Sequence, residues 1–151
     1  MAVNWYIKHF NELSPEELHD LVALRIEVFV MEQNCTYQDL DGKDKYAHQI
    51  FAVDENKKVL ATARILPQGI SYAEVSIGRV ASSDSVRGTG IGQQMMERAM
   101  AFIQQHYGEV DVRISAQEYL LNFYGKFGFQ STGKHYLEDD LPHVEMLYKS
   151  N

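Results

Sequence analysis

Residues 87–92 read Arg87-Gly88-Thr89-Gly90-Ile91-Gly92, a run able to hold a pyrophosphate. Glycines without side chains let successive N–H groups close on one anion. The helix expected to follow adds its positive N-terminal end, and Arg87 places a full charge at the rim. Two common nucleotide-binding patterns do not fit. A P-loop would continue into Gly-Lys-Ser or Gly-Lys-Thr, which is absent, so nothing is placed to hold a terminal phosphate and its magnesium ion. The dinucleotide fingerprint needs glycine where Gln93 or Met95 stands.

A second segment, Gln117-Glu118-Tyr119-Leu120-Leu121-Asn122-Phe123-Tyr124-Gly125-Lys126-Phe127-Gly128-Phe129, reads as a short helix closed by glycine. Leu120, Phe123 and Phe127 recur at helical spacing, Gly128 suits a left-handed cap, and Phe129 opens the next strand. Taken alone, this is a helix with core aromatics. Following the glycine loop after one helix and one strand, it becomes the second half of a pattern.

That pattern resembles the coenzyme A signature (Q/R-x-x-G-x-G/A) of the GNAT superfamily of N-acetyltransferases, over about residues 47–148. The stretch Arg25-Ile26-Glu27-Val28-Phe29-Val30-Met31-Glu32-Gln33 is similar to the ElaA-like branch. So are Tyr37, Asp39, Asp41-Gly42, Asp44, His48, and Pro142-His143 with Met146, which extend the resemblance over nearly the whole chain. The resemblance implies an α+β GNAT (acyl-CoA N-acyltransferase) fold, with a mixed, mostly antiparallel central sheet of about seven strands flanked by helices. It also implies transfer of acetyl from acetyl-coenzyme A directly to an amine, with no covalent enzyme intermediate and no metal.

Such a transfer needs a neutral amine, a stabilised oxyanion and a proton for the leaving thiolate. On the family pattern, the backbone of Val80, Ala81 and Ser82 meets the pantetheine arm and the thioester, and Arg87, Gly88, Thr89, Gly90, Ile91 and Gly92 take the pyrophosphate. Tyr124 is the phenol that protonates the departing sulfur, and Gln117 stands where many relatives carry Asn, keeping a side-chain amide for the coenzyme. Glu74, thirteen residues before Arg87, matches the carboxylate base of some relatives and equally suits an exposed strand entry. His48 and His143 are alternatives because imidazole titrates near neutrality, and Glu32 joins them as an acceptor-side candidate. The 25–33 stretch is also similar to the start of acyl-homoserine lactone synthases, so an acyl-transfer synthase is one rival; a coenzyme A-binding sensor without turnover is another.

Other residues carry less. Cys35 has no paired histidine nearby in sequence to generate a thiolate. Asp39, Asp41 and Asp44 faintly suggest a calcium loop, but the glycine comes too early and Ile50 stands where the closing glutamate belongs. His48 with Cys35 makes no recognisable zinc set.

The elements that must position these groups follow from periodicity. A strand over 3–10 leads to a helix capped by Ser14, with Pro15 in its first turn and Glu17 completing a capping box. Leu18, Leu21, Val22, Arg25, Val28 and Phe29 share one stripe, with the Arg25 stem on the core and its guanidinium paired at the edge. Residues 32–45 read as a polar loop, 48–53 and 59–66 as strands joined by a turn, and 73–81 as a buried strand. A helix after the glycine loop, a strand over 110–115, the short helix, and strands over 129–136 and 144–149 complete an α+β order.

The 151 residues, 45% of them hydrophobic, suit one domain over 1–151 with one sizeable core. A net charge of −7 opposes a nucleic-acid binder and suits a cationic acceptor. The absence of a long apolar run or a signal-like start argues against a membrane protein and makes the cytoplasm the expected compartment, consistent with a single cysteine. A homodimer is left open on general frequency.

Overall fold

The computed structural model describes residues 2–150. Its elements run β1 (Asn4–His9), α1 (Pro15–Ile26), β2 (His48–Val53), β3 (Val59–Leu66), β4 (Ser76–Ser82), α2 (Ile91–Tyr107), β5 (Val112–Gln117), α3 (Leu121–Gly125), β6 (Phe129–Glu138) and β7 (Leu141–Tyr148). The element order matches that expected from the sequence. The seven mostly antiparallel strands are also those expected, and they divide into two sheets, ordered β1-β2-β3-β4 and β5-β7-β6.

The two sheets touch at a parallel bridge between Val75 and Val112, where the Arg113 N–H donates to the Val75 carbonyl at 2.9 Å. Beyond it β4 and β5 no longer pair. A wedge opens between the sheets, and backbone groups that a continuous ladder would consume stay available along its walls. A β-bulge widens the wedge from the β4 side. Thr62 pairs with Ala81 and Arg64 with Gly78, so Arg79 and Val80 together oppose Ala63. Arg79 takes a φ of 50° there, in the left-handed region that a non-glycine residue enters only when its surroundings hold it.

Helices cover the four-stranded sheet on both faces, which is why β2 and β3 are almost continuously apolar. Alternation still sorts the side chains. Ile50 and Ala52 join the core beneath α2, with Met95, Met96, Ala99 and Ile103, whereas Phe51 and Val53 pack with Leu21, Leu24 and Val28 of the α1 side. Helix α1 starts as expected: Ser14 Oγ accepts from the Glu17 N–H at 3.0 Å, and Glu17 returns a bond to the Ser14 N–H at 2.9 Å. Its C-terminal end widens into a π-helical turn over Glu27–Glu32, which carries Phe29 and Glu32 toward the wedge. Among the described residues no helix is long and apolar enough to cross a membrane.

Candidate active site

Two cavities meet in the wedge. A groove of about 600 Å³ runs along the glycine loop, lined by Glu32, Val80, Ala81, Ser82, Arg87, Gly88, Gly90, Ile91 and Gly92. A cleft of about 280 Å³ lies on the other side, lined by Lys43, Tyr72, Arg79, Ser115, Glu138 and His143 among others. Phe29, Gln33, Val80, Gln117, Leu120 and Tyr124 line both, so a molecule in one can touch a molecule in the other across this shared wall.

The groove owes its shape to backbone. Gly88 and Gly90 sit at φ 80° and 85°, and space beside each is open, so the turn exposes its N–H groups as only glycine readily permits. The first α2 turn begins with the Gln94 N–H bonding the Gly90 carbonyl at 3.0 Å. The N–H groups of Ile91, Gly92 and Gln93 therefore have no intrahelical acceptor, as at the start of any helix, and an anion is a partner suited to them. Gly92 differs from Gly88 and Gly90: it has no left-handed φ, and a Cβ there would meet the Phe123 ring at an ordinary contact of 3.6 Å. Thr89 contributes differently from its neighbours: its hydroxyl turns back to the Val86 carbonyl and stabilises the turn. Arg87 donates to Glu32 Oε1 at 2.5 Å and to the Ser82 carbonyl at 3.0 Å. Glu32 lines the groove and not the cleft, so the structure places it on the glycine-loop side of the wedge rather than on the acceptor side expected from the sequence.

Tyr124 is 6% exposed, within the shared wall. Burial and the neighbouring Tyr119 raise its phenol well above the ordinary value, so it holds its proton and is equipped as a donor, not a base. Gln117 is the register partner of His143 across the β5–β7 pair. His143 is 6% exposed; its Nδ1 lies 2.8 Å from the Leu141 carbonyl and its Nε2 3.4 Å from Glu138 Oε2. Because a carbonyl can only accept, Nδ1 is the donor to it, and Nε2 faces Glu138.

Glu74 and His48 are not brought to the wedge; neither lines a cavity. Glu74 is committed to Arg113 through two bonds of 2.9 Å, which hold its carboxyl below the usual range. That is an ion pair at the sheet junction, which turns the carboxylate toward Arg113 and away from both cavities. His48 sits instead among His9, Phe102 and His106, with ring centroids 4.8–5.0 Å away. Burial, followed by the charges of His9 and His106, lowers its pKa.

Sequence reasoning missed the work of the polar loop. Arg25 is 0% exposed, deeper than the edge pairing expected of it. It donates to both Asp44 oxygens at 2.8 and 3.1 Å, and its Nε lies 2.9 Å from Asp39, close enough for an ion pair though not aligned as a hydrogen bond. Arg64 grips Asp41 at 2.9 and 3.1 Å, and Arg79 meets Asp39 at 3.1 Å and Asp41 at 3.3 Å. Asp39, Asp41 and Asp44 thus receive three arginines, and through Arg79 they pin the bulge that opens the wedge. Burial opposes ionisation of Asp41, but the Arg64 hydrogen bonds outweigh it and hold the carboxyl at about 2. Among the described residues no group of three or more His, Cys, Asp or Glu is placed to hold a metal ion.

Residues 11–150 match the family model for the acetyltransferase (GNAT) domain. The chain belongs to this family. A crystal structure of an acyl-CoA N-acyltransferase from Pseudomonas aeruginosa superposes with a TM-score of 0.92 at 40% identity, covering 97% of this chain and 99% of that one. Escherichia coli ElaA gives 0.91 at 39% identity, over 98% of this chain and 100% of the other. A UPF0039 protein of Synechocystis is 37% identical over 149 residues, 99% of this chain and 97% of its own. The chain is similar to ElaA and the UPF0039 proteins along its whole length, and the GNAT fold expected from the two motifs is the fold it has.

Proposed function

We propose that the protein transfers an acetyl group from acetyl-coenzyme A directly to the amine of a small acceptor. The single observation that carries this reading is the shared wall: the groove with the phosphate cradle and the polar cleft meet at Val80, Gln117 and Tyr124. A donor thioester laid along the groove presents its carbonyl where an amine in the cleft can reach it, which replaces a bimolecular encounter by positioning.

The residues divide the chemistry. Arg87 and the N–H groups of the glycine loop bind the pyrophosphate. The β4 backbone at the bulge, around Val80, faces the thioester, and Gln117 supplies an amide to the coenzyme. The Glu138–His143 pair takes the proton from the entering ammonium. The neutral amine attacks the carbonyl carbon, the carbon–sulfur bond breaks, and the departing sulfur receives the Tyr124 phenolic proton. Tyr124 regains a proton as the new N-acetyl group sheds the one left from the amine. No nucleophile from the protein is used, and Cys35, although it lines the cleft, has no part in the transfer.

Free-thiol release from acetyl-coenzyme A over a panel of amines tests this. Thiol release with a matching rise of N-acetylated amine supports it. Coenzyme binding without release from any amine would instead favour a sensor, and release only from longer acyl donors an acyl-transfer synthase.

A further inference from the structure

The acceptor cleft has two walls of opposite charge. On the side of β3, β4 and the α1–β2 connection, Arg25, Arg64 and Arg79 are matched by Asp39, Asp41 and Asp44. Lys43 adds a further cation to that wall. Among the described residues it has no carboxylate within ion-pair distance; its ammonium donates to the Ser71 hydroxyl at 2.9 Å and is only part-buried. An ammonium group offers three donors, so Lys43 keeps capacity toward the cleft it lines.

The opposite wall is built by β5, β6 and β7. Glu138 lies 3.4 Å from His143 Nε2 and accepts from Ser115 at 3.4 Å, and Ser115 also bonds Tyr136. Asp139, in the turn between β6 and β7, lines the cleft next to Glu138. No arginine or lysine is paired with either carboxylate among the described residues. This wall attracts a cation, and it stands beside Gln117, on the coenzyme side of the cleft.

A polyamine, cationic at every end, would put a positive group against Lys43, and an amine with an apolar tail would leave Lys43 desolvated without a partner. Neither suits a cleft with this division. Its volume of about 280 Å³ is also at the small end for ligand pockets.

We infer that the acceptor is a small zwitterion, a primary amine carrying a carboxylate, whose ammonium docks on the Glu138–His143 wall and whose carboxylate docks on Lys43. The inference rests on the acetyltransferase reading and names its substrate class. It replaces the cationic acceptor that net charge alone suggested, since the local charges facing the substrate differ from the charge of the whole surface.

The test is thiol release from acetyl-coenzyme A with paired acceptors: a set of amino acids, the decarboxylated amine of each and the amide of each. In the wild-type protein the carboxylate form of at least one pair should be favoured tenfold or more in kcat/KM. In Lys43→Met, which keeps an unbranched stem, that preference should collapse through KM of the acceptor, while calorimetric affinity for acetyl-coenzyme A is retained; Lys43→Arg should restore most of it. Decarboxylated amines used as well as or better than the acids, or a preference untouched in Lys43→Met, would overturn the zwitterion while leaving the transferase intact. No thiol release from any amine would bring down the transferase reading, and this inference with it.

Discussion

Gln117 and His143 face each other across the β5–β7 pair, and Gln117 lines both cavities where His143 lines only the cleft. One cross-strand pair thus joins the groove along the glycine loop to the polar cleft. A one-residue slip of β7 would turn His143 to the opposite face, so the register of this sheet is part of the site.

Tyr124→Phe removes the phenolic proton and keeps the buried ring. We expect kcat to fall by roughly a hundredfold, the lower range for loss of a general acid, with acetyl-coenzyme A affinity nearly unchanged. Steady-state kinetics beside calorimetry checks this, and a variant with full turnover would remove Tyr124 from the chemistry.

Glu74→Gln should leave the pH–rate profile as it is, because its carboxylate serves Arg113 at the junction of the sheets. The expected effect is on stability, about 1 kcal/mol, or a fall in Tm of roughly 2–4 °C. Arg113 holds the Glu74 pKa below its free value, so this contribution is present above that value and is lost as pH falls through the folded pKa. A Tm difference between variant and wild type that persists unchanged far into acid would contradict the assignment.

The lesson of these positions is which signals sequence carries. The glycine turn at Gly88 and Gly90 and the core position of Tyr124 were legible because a left-handed turn before a helix and a buried aromatic depend on local chain geometry, and that geometry writes itself into neighbouring residue types. Glu74 and His48 stand away from both cavities, which the sequence did not reveal because spacing along the chain does not tell which partner a side chain meets. Arg113 is 39 residues from Glu74, and His106 reaches His48 of β2 from the far end of α2, distant along the chain. Glu32 was assigned to the acceptor for the same reason, since its Arg87 contact spans 55 residues. The separation of the sheets beyond Val75 leaves no periodic trace at all, because strands on either side of a wedge alternate as paired strands do.

Arg25→Ala should destabilise the protein by about 3–5 kcal/mol, the cost of leaving buried Asp39 and Asp44 without their partner. Chemical denaturation measures it. Loss of under about 1 kcal/mol would show that the loop does not depend on Arg25.

Burial, with the charges of His9 and His106, lowers the His48 pKa from its free value and favours the neutral ring in the fold. The unfolded chain binds the proton more readily, so stability rises with pH across this window; the contribution is complete above the free value and declines as pH falls through the folded one. Thermal unfolding between pH 7.5 and 5 should show a steeper loss for wild type than for His48→Phe. Parallel curves would contradict it.

The central claim is tested most directly by calorimetric titration of acetyl-coenzyme A into the wild-type protein and into Gly90→Glu. Position 90 has a φ of 85°, so the substitution strains the turn and places an anion in the phosphate cradle. The predicted result is saturable one-to-one binding in the wild type and none in the variant, with the variant still folded by circular dichroism. Equal affinity in the two proteins, or no binding by the wild type, would contradict the account.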